Sequence, residues 1–441
     1  MPKLNWPFLP SHPINIAKAE GVYLYTSGGQ QIIDAAGGAI VANIGHGRTR
    51  VADAIANAAK NETYVVPPWL TPSREAMLNA LADWLPPAFT RVHCTSGGTE
   101  ANEAAIKIAL QYQQAHGEQQ KTKVIGRSIS YHGTSMATAS VSGHPARKKG
   151  LENALPDFPE IVAPYPLRSS VPVAEMGHHY ADLLEERILA LGPENVAAFI
   201  AEPITGSSGG AIVPPDGYWS RVREICDEHG VLLILDEVMT GFGRTGVDFG
   251  FQHWPMEPDI LVSGKGFAGG YAPLCGVFAK EFIGSAIESA GFQVMFNTFG
   301  AHPVSCAAAG EVLTIMREES LVERAATMGS YLHQRLADAF SNHPHVAEIR
   351  GKGLLAAIEI VADRETLERF PQDQSVSANT VAAGLDRDVF YYSGGTGDVR
   401  DIVCMGPAFI IEEAQVDKVV EVLSESVDAA VAQARKEARQ T

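Results

Sequence analysis

Short apolar runs that stop abruptly at polar or glycine residues alternate along this chain with longer stretches of helix-like periodicity, and that alternation predicts a mostly parallel sheet flanked by helices. The run 231–235, Val-Leu-Leu-Ile-Leu, ends directly on Asp236 and Glu237, and the run 260–262, set between Pro258 and Gly264, ends just before Lys265. Both read as short buried strands. The segment from Cys94 to Asn102, Cys-Thr-Ser-Gly-Gly-Thr-Glu-Ala-Asn, reads as a strand end, a glycine turn and the start of a helix continuing to about Gln114. Another helix opens at Pro215-Asp-Gly-Tyr-Trp219, runs to about His229 and is ended by Gly230. From Met316 the pattern is helical through Phe340, and 349–359 follows as a strand after a turn, which suggests a second, smaller lobe. The stretch 143–170, with many prolines and basic residues, reads as a surface excursion.

Size and charge narrow the function. At 441 residues the chain buries a large core and divides into two or three lobes. Its net charge of −17 argues against a nucleic-acid partner, because no basic stripe offsets repulsion from phosphates. Five cysteines, Cys94, Cys226, Cys275, Cys306 and Cys404, lack the paired spacing of a disulfide framework or zinc site and point to a reducing cytoplasm. The start, Met1-Pro-Lys-Leu-Asn-Trp-Pro-Phe8, has no basic region followed by an apolar core, and no later run approaches membrane-spanning length. The expectation is a cytoplasmic protein without a membrane partner. His178-His179 and His343-Pro-His345 have no acidic or cysteine partners at ligand spacing, so no metal is expected.

The strand ends carry the candidate chemistry. Open α/β sheets bind ligands beyond the C-terminal ends of their strands, which is where Asp236 and Lys265 fall. Taken singly, each has a plainer reading: a lysine there is more often solvated, and an aspartate often only caps the next turn. Closing two successive strands, they can face one crevice. A lysine that forms an imine and an aspartate that keeps a pyridine nitrogen protonated are the two protein groups pyridoxal phosphate needs most. Gly97, Gly98 and Thr99 at a helix start would supply free N–H groups for its phosphate, with an ordinary N-cap by Ser96 or Thr99 as the simpler alternative.

With these motifs the chain resembles the class III, or subgroup II, aminotransferases, pyridoxal-phosphate enzymes of fold type I. The likeness runs from Gly21-Val-Tyr-Leu-Tyr25 and Ile33-Asp-Ala-Ala-Gly-Gly38 through Ile44-Gly-His46 to Gly406-Pro-Ala-Phe-Ile-Ile411. Its most specific part is Leu235-Asp-Glu-Val-Met-Thr-Gly-Phe-Gly-Arg-Thr-Gly246, with Lys265 following. The resemblance implies an α/β fold: a large cofactor domain (61–315) with a mostly parallel sheet between helices, and a smaller α+β domain from both chain ends (1–60 and 316–441). It implies that Lys265 holds pyridoxal 5'-phosphate covalently and moves the proton as general acid and base, while Asp236 pairs with the ring nitrogen. Val238 and Tyr131 would cover the two ring faces, and Gly98 and Thr99 would bind the phosphate. Thr298, in Asn297-Thr-Phe-Gly-Ala-His-Pro303, would reach the phosphate of a neighbouring subunit, so the expected assembly is a homodimer or a dimer of dimers. Glu202 matches the family acid at the ring oxygen edge, with a purely structural carboxylate as the alternative.

Two departures bear on substrate. One branch of the family carries a glutamate five positions after the acid of Glu202-Pro203, where it gates a substrate-binding arginine. Here that position is Ser207, which favours pyruvate or another small 2-oxo acid over 2-oxoglutarate. Relatives also carry a carboxylate-binding arginine in a more regular C-terminal context, and Arg400 is the candidate, with a surface ion pair to Asp398 or Asp401 as the alternative. Trp69 is assigned either to the substrate pocket or to the core. The function implied is transfer of an amino group from a primary amine or amino acid to a small 2-oxo acid. The alternative is the same cofactor turned to decarboxylation, racemisation or amino shift.

Overall fold

In the computed structural model, residues 14–438 are described; the expectation for Met1 to Phe8 lies outside them. Seven strands form the central sheet: β1 (Phe89–Thr95), β2 (Lys123–Arg127), β3 (Glu160–Ile161), β4 (Val196–Ala201), β5 (Leu232–Glu237), β6 (Ile260–Ser263) and β7 (Cys275–Lys280). Their order is β1-β7-β6-β5-β4-β2-β3. Only β7 runs antiparallel to its neighbours; β2 to β6 are mutually parallel where they pair. Strands β4, β5 and β6 are buried throughout, which explains why they read as continuous apolar runs and not as alternating ones. Helices cover both faces, so this is the expected layered α/β architecture.

Register carries the functional consequence. On the paired strands β5 and β6, Asp236 lies beside Val262 and Glu237 beside Ser263. The chain end of β5 therefore meets the chain end of β6, and Lys265 follows within two residues. Since successive side chains point to opposite faces, only one of the two acids can share a crevice with the lysine.

Two small sheets lie outside the central one. Strands Ile16–Glu20, Tyr23–Thr26 and Gln31–Asp34 form a meander, and Val389–Phe390 adds in parallel to Gln31–Asp34. A strand from late in the chain thus joins a meander from its early part. The other sheet is antiparallel, with the strands Val346–Lys352, Leu355–Ile360, Val399–Met405 and Tyr392–Thr396 in that spatial order.

Three sequence expectations need correction. The stretch from Met316 to Phe340 is two helices, Pro303–Glu318 and Leu321–Phe340, because Ser320 takes φ 48° and breaks the run. The single strand expected at 349–359 is a hairpin that turns at Gly353, whose φ is 55°. The excursion at 143–170 is partly structural: it contains the edge strand β3, and its Tyr165 and Arg168 bond Glu359 of the C-terminal sheet.

The long motif after β5 is explained in part by this architecture. Arg244 is fully buried and donates to Leu354 O (3.0 Å), Pro407 O (2.6 Å) and Asn43 Oδ1 (2.7 Å). One side chain thereby ties the loop after β5 to three separate segments of the chain.

Candidate active site

A cavity of about 380 Å³ opens at the C-terminal ends of β5 and β6, within the usual range for small-molecule sites. Lys265, Asp236, Val238, Gly98, Thr99, Tyr131, Glu202 and Ser207, all named from sequence, line it together. Ala39, Asn102, His132, Arg147, Met239, Cys275 and Tyr392 complete the wall.

Asp236 is held rigidly. Its carboxylate accepts from Asn102 Nδ2 (2.7 Å), His132 Nδ1 (2.8 Å) and its own loop's Val238 N (3.0 Å). A carboxylate only accepts, so the His132 proton lies on Nδ1. His132 is itself fixed, since its backbone carbonyl accepts from the same Asn102 amide at 2.9 Å. Glu237 points the other way and is closed off from the cavity. It accepts from Gly250 N (2.8 Å) and Phe251 N (2.7 Å) and from the Thr240 hydroxyl. Burial pushes its pKa from 4.5 to about 7.

Lys265 sits in a backbone conformation that only a crowded site enforces. Its φ is 43°, the left-handed region that costs a residue with a Cβ about 1 kcal/mol or more. Gly264 before it has no room for a side chain: a Cβ there would lie 2.2 Å from Cys275 Sγ. Burial pushes the Lys265 amine from its ordinary 10.5 down to about 8, against the opposing pull of Asp236. Folding thus disfavours the charged amine, the native state binds fewer protons between pH 8 and 10.5, and this group's contribution to stability grows as pH rises through that window. In cofactor-free protein, acetic anhydride should label Lys265 at a rate that climbs through about pH 8 and then levels off, while exposed lysines keep gaining. A midpoint at the ordinary value of 10.5 would contradict the buried setting.

The helix Gly98–Ala115 aims its N-terminus at the cavity, where unpaired N–H groups and the helix dipole favour an anion. A Cβ on Gly98 would approach Val238 to 3.3 Å, so glycine allows the helix start to pack on the loop after β5. Glu202, at the end of β4, accepts from Gly206 N at 3.1 Å and lies 3.7 Å from Arg127 Nη2. Its Oε2, the oxygen nearest Arg127, accepts no hydrogen bond among the described residues, and burial raises its pKa.

The remaining candidates are elsewhere. Trp69 is neither pocket wall nor core: it is 68% exposed, on a loop bordering a separate concavity with Leu70 and Phe296. Thr298 is exposed in the neighbouring segment and does not reach the cavity of its own chain. Arg400 also lies off the cavity. Its Nη2 donates to Phe370 O at 2.9 Å, and it stands 3.8 Å from both Asp398 and Asp401.

Among the wall residues not named as site candidates from sequence, four bear on the chemistry: Asn102, His132, Arg147 and Tyr392. Asn102 was findable, being one helical turn beyond Gly98 and so on the same face, and His132 adjoins Tyr131. Arg147 comes from a four-residue helix and Tyr392 from the first position of a short strand, both too short to carry a periodic signal.

The class III aminotransferase family model matches residues 9–427. The chain belongs to the class III aminotransferase family. It is 36% identical to putrescine–pyruvate aminotransferase of Pseudomonas aeruginosa, covering 94% of this chain and 90% of that one. It is 33% identical to diaminobutyrate–2-oxoglutarate transaminase of Halomonas elongata, covering 92% and 88%. Among solved structures, the omega transaminase of Pseudomonas jessenii in complex with PMP superposes with a TM-score of 0.90 at 32% identity, covering 95% of this chain and 93% of that chain. This aminotransferase therefore has the fold type I architecture, and its chemistry is transamination. No helix among its described residues is long and apolar enough to cross a membrane.

Proposed function

We propose that this aminotransferase binds pyridoxal 5'-phosphate in the cavity at β5 and β6 and passes an amino group from a primary amine or amino acid to pyruvate or a similarly small 2-oxo acid. The observation that carries the reading is the convergence of Lys265, Asp236 and the N-terminus of Gly98–Ala115 on one cavity. The residues present fit the cofactor. Helix amides at Gly98 and Thr99 suit its phosphate, the pinned Asp236 carboxylate suits a protonated ring nitrogen, and Glu202 Oε2, which accepts no hydrogen bond among the described residues, suits the ring oxygen. Val238 and Tyr131 would cover its two faces. The PMP in the Pseudomonas jessenii relative supports the same assignment.

Pyridoxal phosphate, when bound, supplies the electron sink for cleavage at the substrate carbon. The protein supplies everything that directs it. Lys265 would hold the cofactor, and burial pushes its amine down to about 8, so far more of it is free base near neutral pH than in an ordinary lysine, which suits it to taking a proton from the substrate carbon. Asn102, His132 and the Val238 amide keep Asp236 in place, so its charge is preorganised toward the ring.

Pyruvate is favoured as acceptor because Ser207 lines the cavity where the gated branch has a glutamate, and a neutral, short side chain cannot tie up a substrate-binding arginine. With a fixed amine donor, kcat/KM for pyruvate should exceed that for 2-oxoglutarate. A clear preference for 2-oxoglutarate would overturn the acceptor assignment, and carbon dioxide release without formation of the amine form of the cofactor would favour the decarboxylase alternative.

A homodimer completes this proposal. Trp69, Leu70, Val92, Val294, Phe296 and Phe299 expose a large apolar surface around Thr298, a patch of the kind that marks a protein interface. A second copy covering it would bring Thr298 toward the partner's phosphate site. A monomeric mass by light scattering would contradict this assembly. The five cysteines, all free, support a cytoplasmic location.

A further inference from the structure

We infer that Arg147, and not a C-terminal arginine, is the residue that grips the substrate carboxylate in this enzyme, so that its acceptors and any amino-acid donors are recognised as carboxylates from the 143–170 excursion. The inference rests on the transaminase reading of the cavity and adds the group that would orient substrate there.

Arg147 supplies the one guanidinium on the cavity wall among the described residues. It sits in the short helix Pro145–Lys148, with its Cζ 4.6 Å from the centroid of the Tyr131 ring. A cation–π contact at that distance engages the charge with the ring and leaves the guanidinium N–H groups free to bond a carboxylate. Its charge is otherwise unclaimed: no ion pair or side-chain hydrogen bond ties it among the described residues, and its basic neighbours Lys148 and Lys149 carry the same sign. The cavity's own acids do not compete, because Asp236 is saturated by three donors and Glu202 bonds Gly206 N beside Arg127.

The C-terminal region offers no substitute. Arg400 donates to Phe370 O and lies between Asp398 and Asp401, away from the cavity. The residue from that sheet that does reach the wall is Tyr392, which carries no positive charge. Arg147 is thus left as the arginine that shares a cavity wall with Lys265 and is able to hold a substrate carboxylate there.

Because Arg147 is exposed to solvent, water and salt screen its pull, and its removal should cost about tenfold in carboxylate affinity and not the larger factors of buried pairs. The test uses holoenzyme carrying Arg147→Met, of similar length without charge, and Arg147→Lys. Propionate, a carboxylate that cannot react, is titrated against the cofactor's absorbance, and pyruvate and butylamine KM values are measured in parallel. The expected result is about tenfold weaker propionate binding in Arg147→Met, partial recovery in Arg147→Lys, and a comparable rise in the ratio of pyruvate KM to butylamine KM. Propionate binding that is equal in wild type and Arg147→Met overturns the inference, whatever the kinetics. Failure of wild-type enzyme to convert its cofactor to the amine form with any donor would sink the transaminase reading instead, and the propionate titration, which needs no turnover, would still decide Arg147.

Discussion

Lys265→Ala should leave a folded protein whose turnover is lower by about three orders of magnitude or more, since one side chain is both nucleophile and general acid/base. The fold should survive because the Lys265 side chain has no hydrogen bond among the described residues, and removing a desolvated amine relieves a burial cost that already pushes its pKa down to about 8. Alanine also keeps the strained φ of 43°, so the backbone gains nothing from the change. The variant should still bind pyridoxal phosphate through the helix N-terminus and Asp236, but without a covalent bond. Steady-state rates with an amine donor and pyruvate, beside a thermal melt, check both halves; near-normal turnover would remove the basis of the mechanism.

The second large effect separates two adjacent acids. Asp236→Ala should reduce kcat by about 100-fold or more, as for other preorganised electrostatic groups, and weaken cofactor retention, with a smaller drop in melting temperature than Glu237→Ala because cavity water can reach the donors it leaves. Glu237→Ala should do the reverse. It strands the Gly250 and Phe251 amides in a dry interior, a loss of about 2–4 kcal/mol, while the cavity wall is untouched. Glu237 also carries a pH signature. Its folded pKa of about 7 lies above the ordinary 4.5, so the native state binds the extra proton and stability falls as pH rises through that window. Glu237→Gln should flatten that slope. A larger activity loss at Glu237 than at Asp236 would mean that the strand presents its side chains in the opposite register.

That register was legible in the sequence because β5 and β6 are buried on both faces: their apolar runs have sharp ends, and the residues at those ends are the ones a parallel sheet delivers to its ligand edge. Gly98 was legible for a related reason, since a helix start after a strand needs a glycine to approach neighbouring chain. What the sequence left open lies in segments without a period. Arg400 was the candidate because relatives carry a carboxylate-binding arginine in that C-terminal region, yet the hairpin turning at Gly397, with φ 56°, places Tyr392 at the cavity and leaves Arg400 on the returning strand. Trp69 belongs to a loop and is left 68% exposed, so no burial period marked its place. The grip on Asp236 by Asn102 and His132 joins residues from three separate segments, and only the folded chain brings them within hydrogen-bond reach.

Peptide mapping by mass spectrometry after the protein is loaded with pyridoxal phosphate and reduced with sodium borohydride tests the central claim most directly. The predicted result is one reduced pyridoxyl phosphate per chain, on the peptide containing Lys265, with loss of the visible absorption band and of all transaminase activity. Label spread over surface lysines, or an unlabelled Lys265 in protein that still turns over, would contradict it.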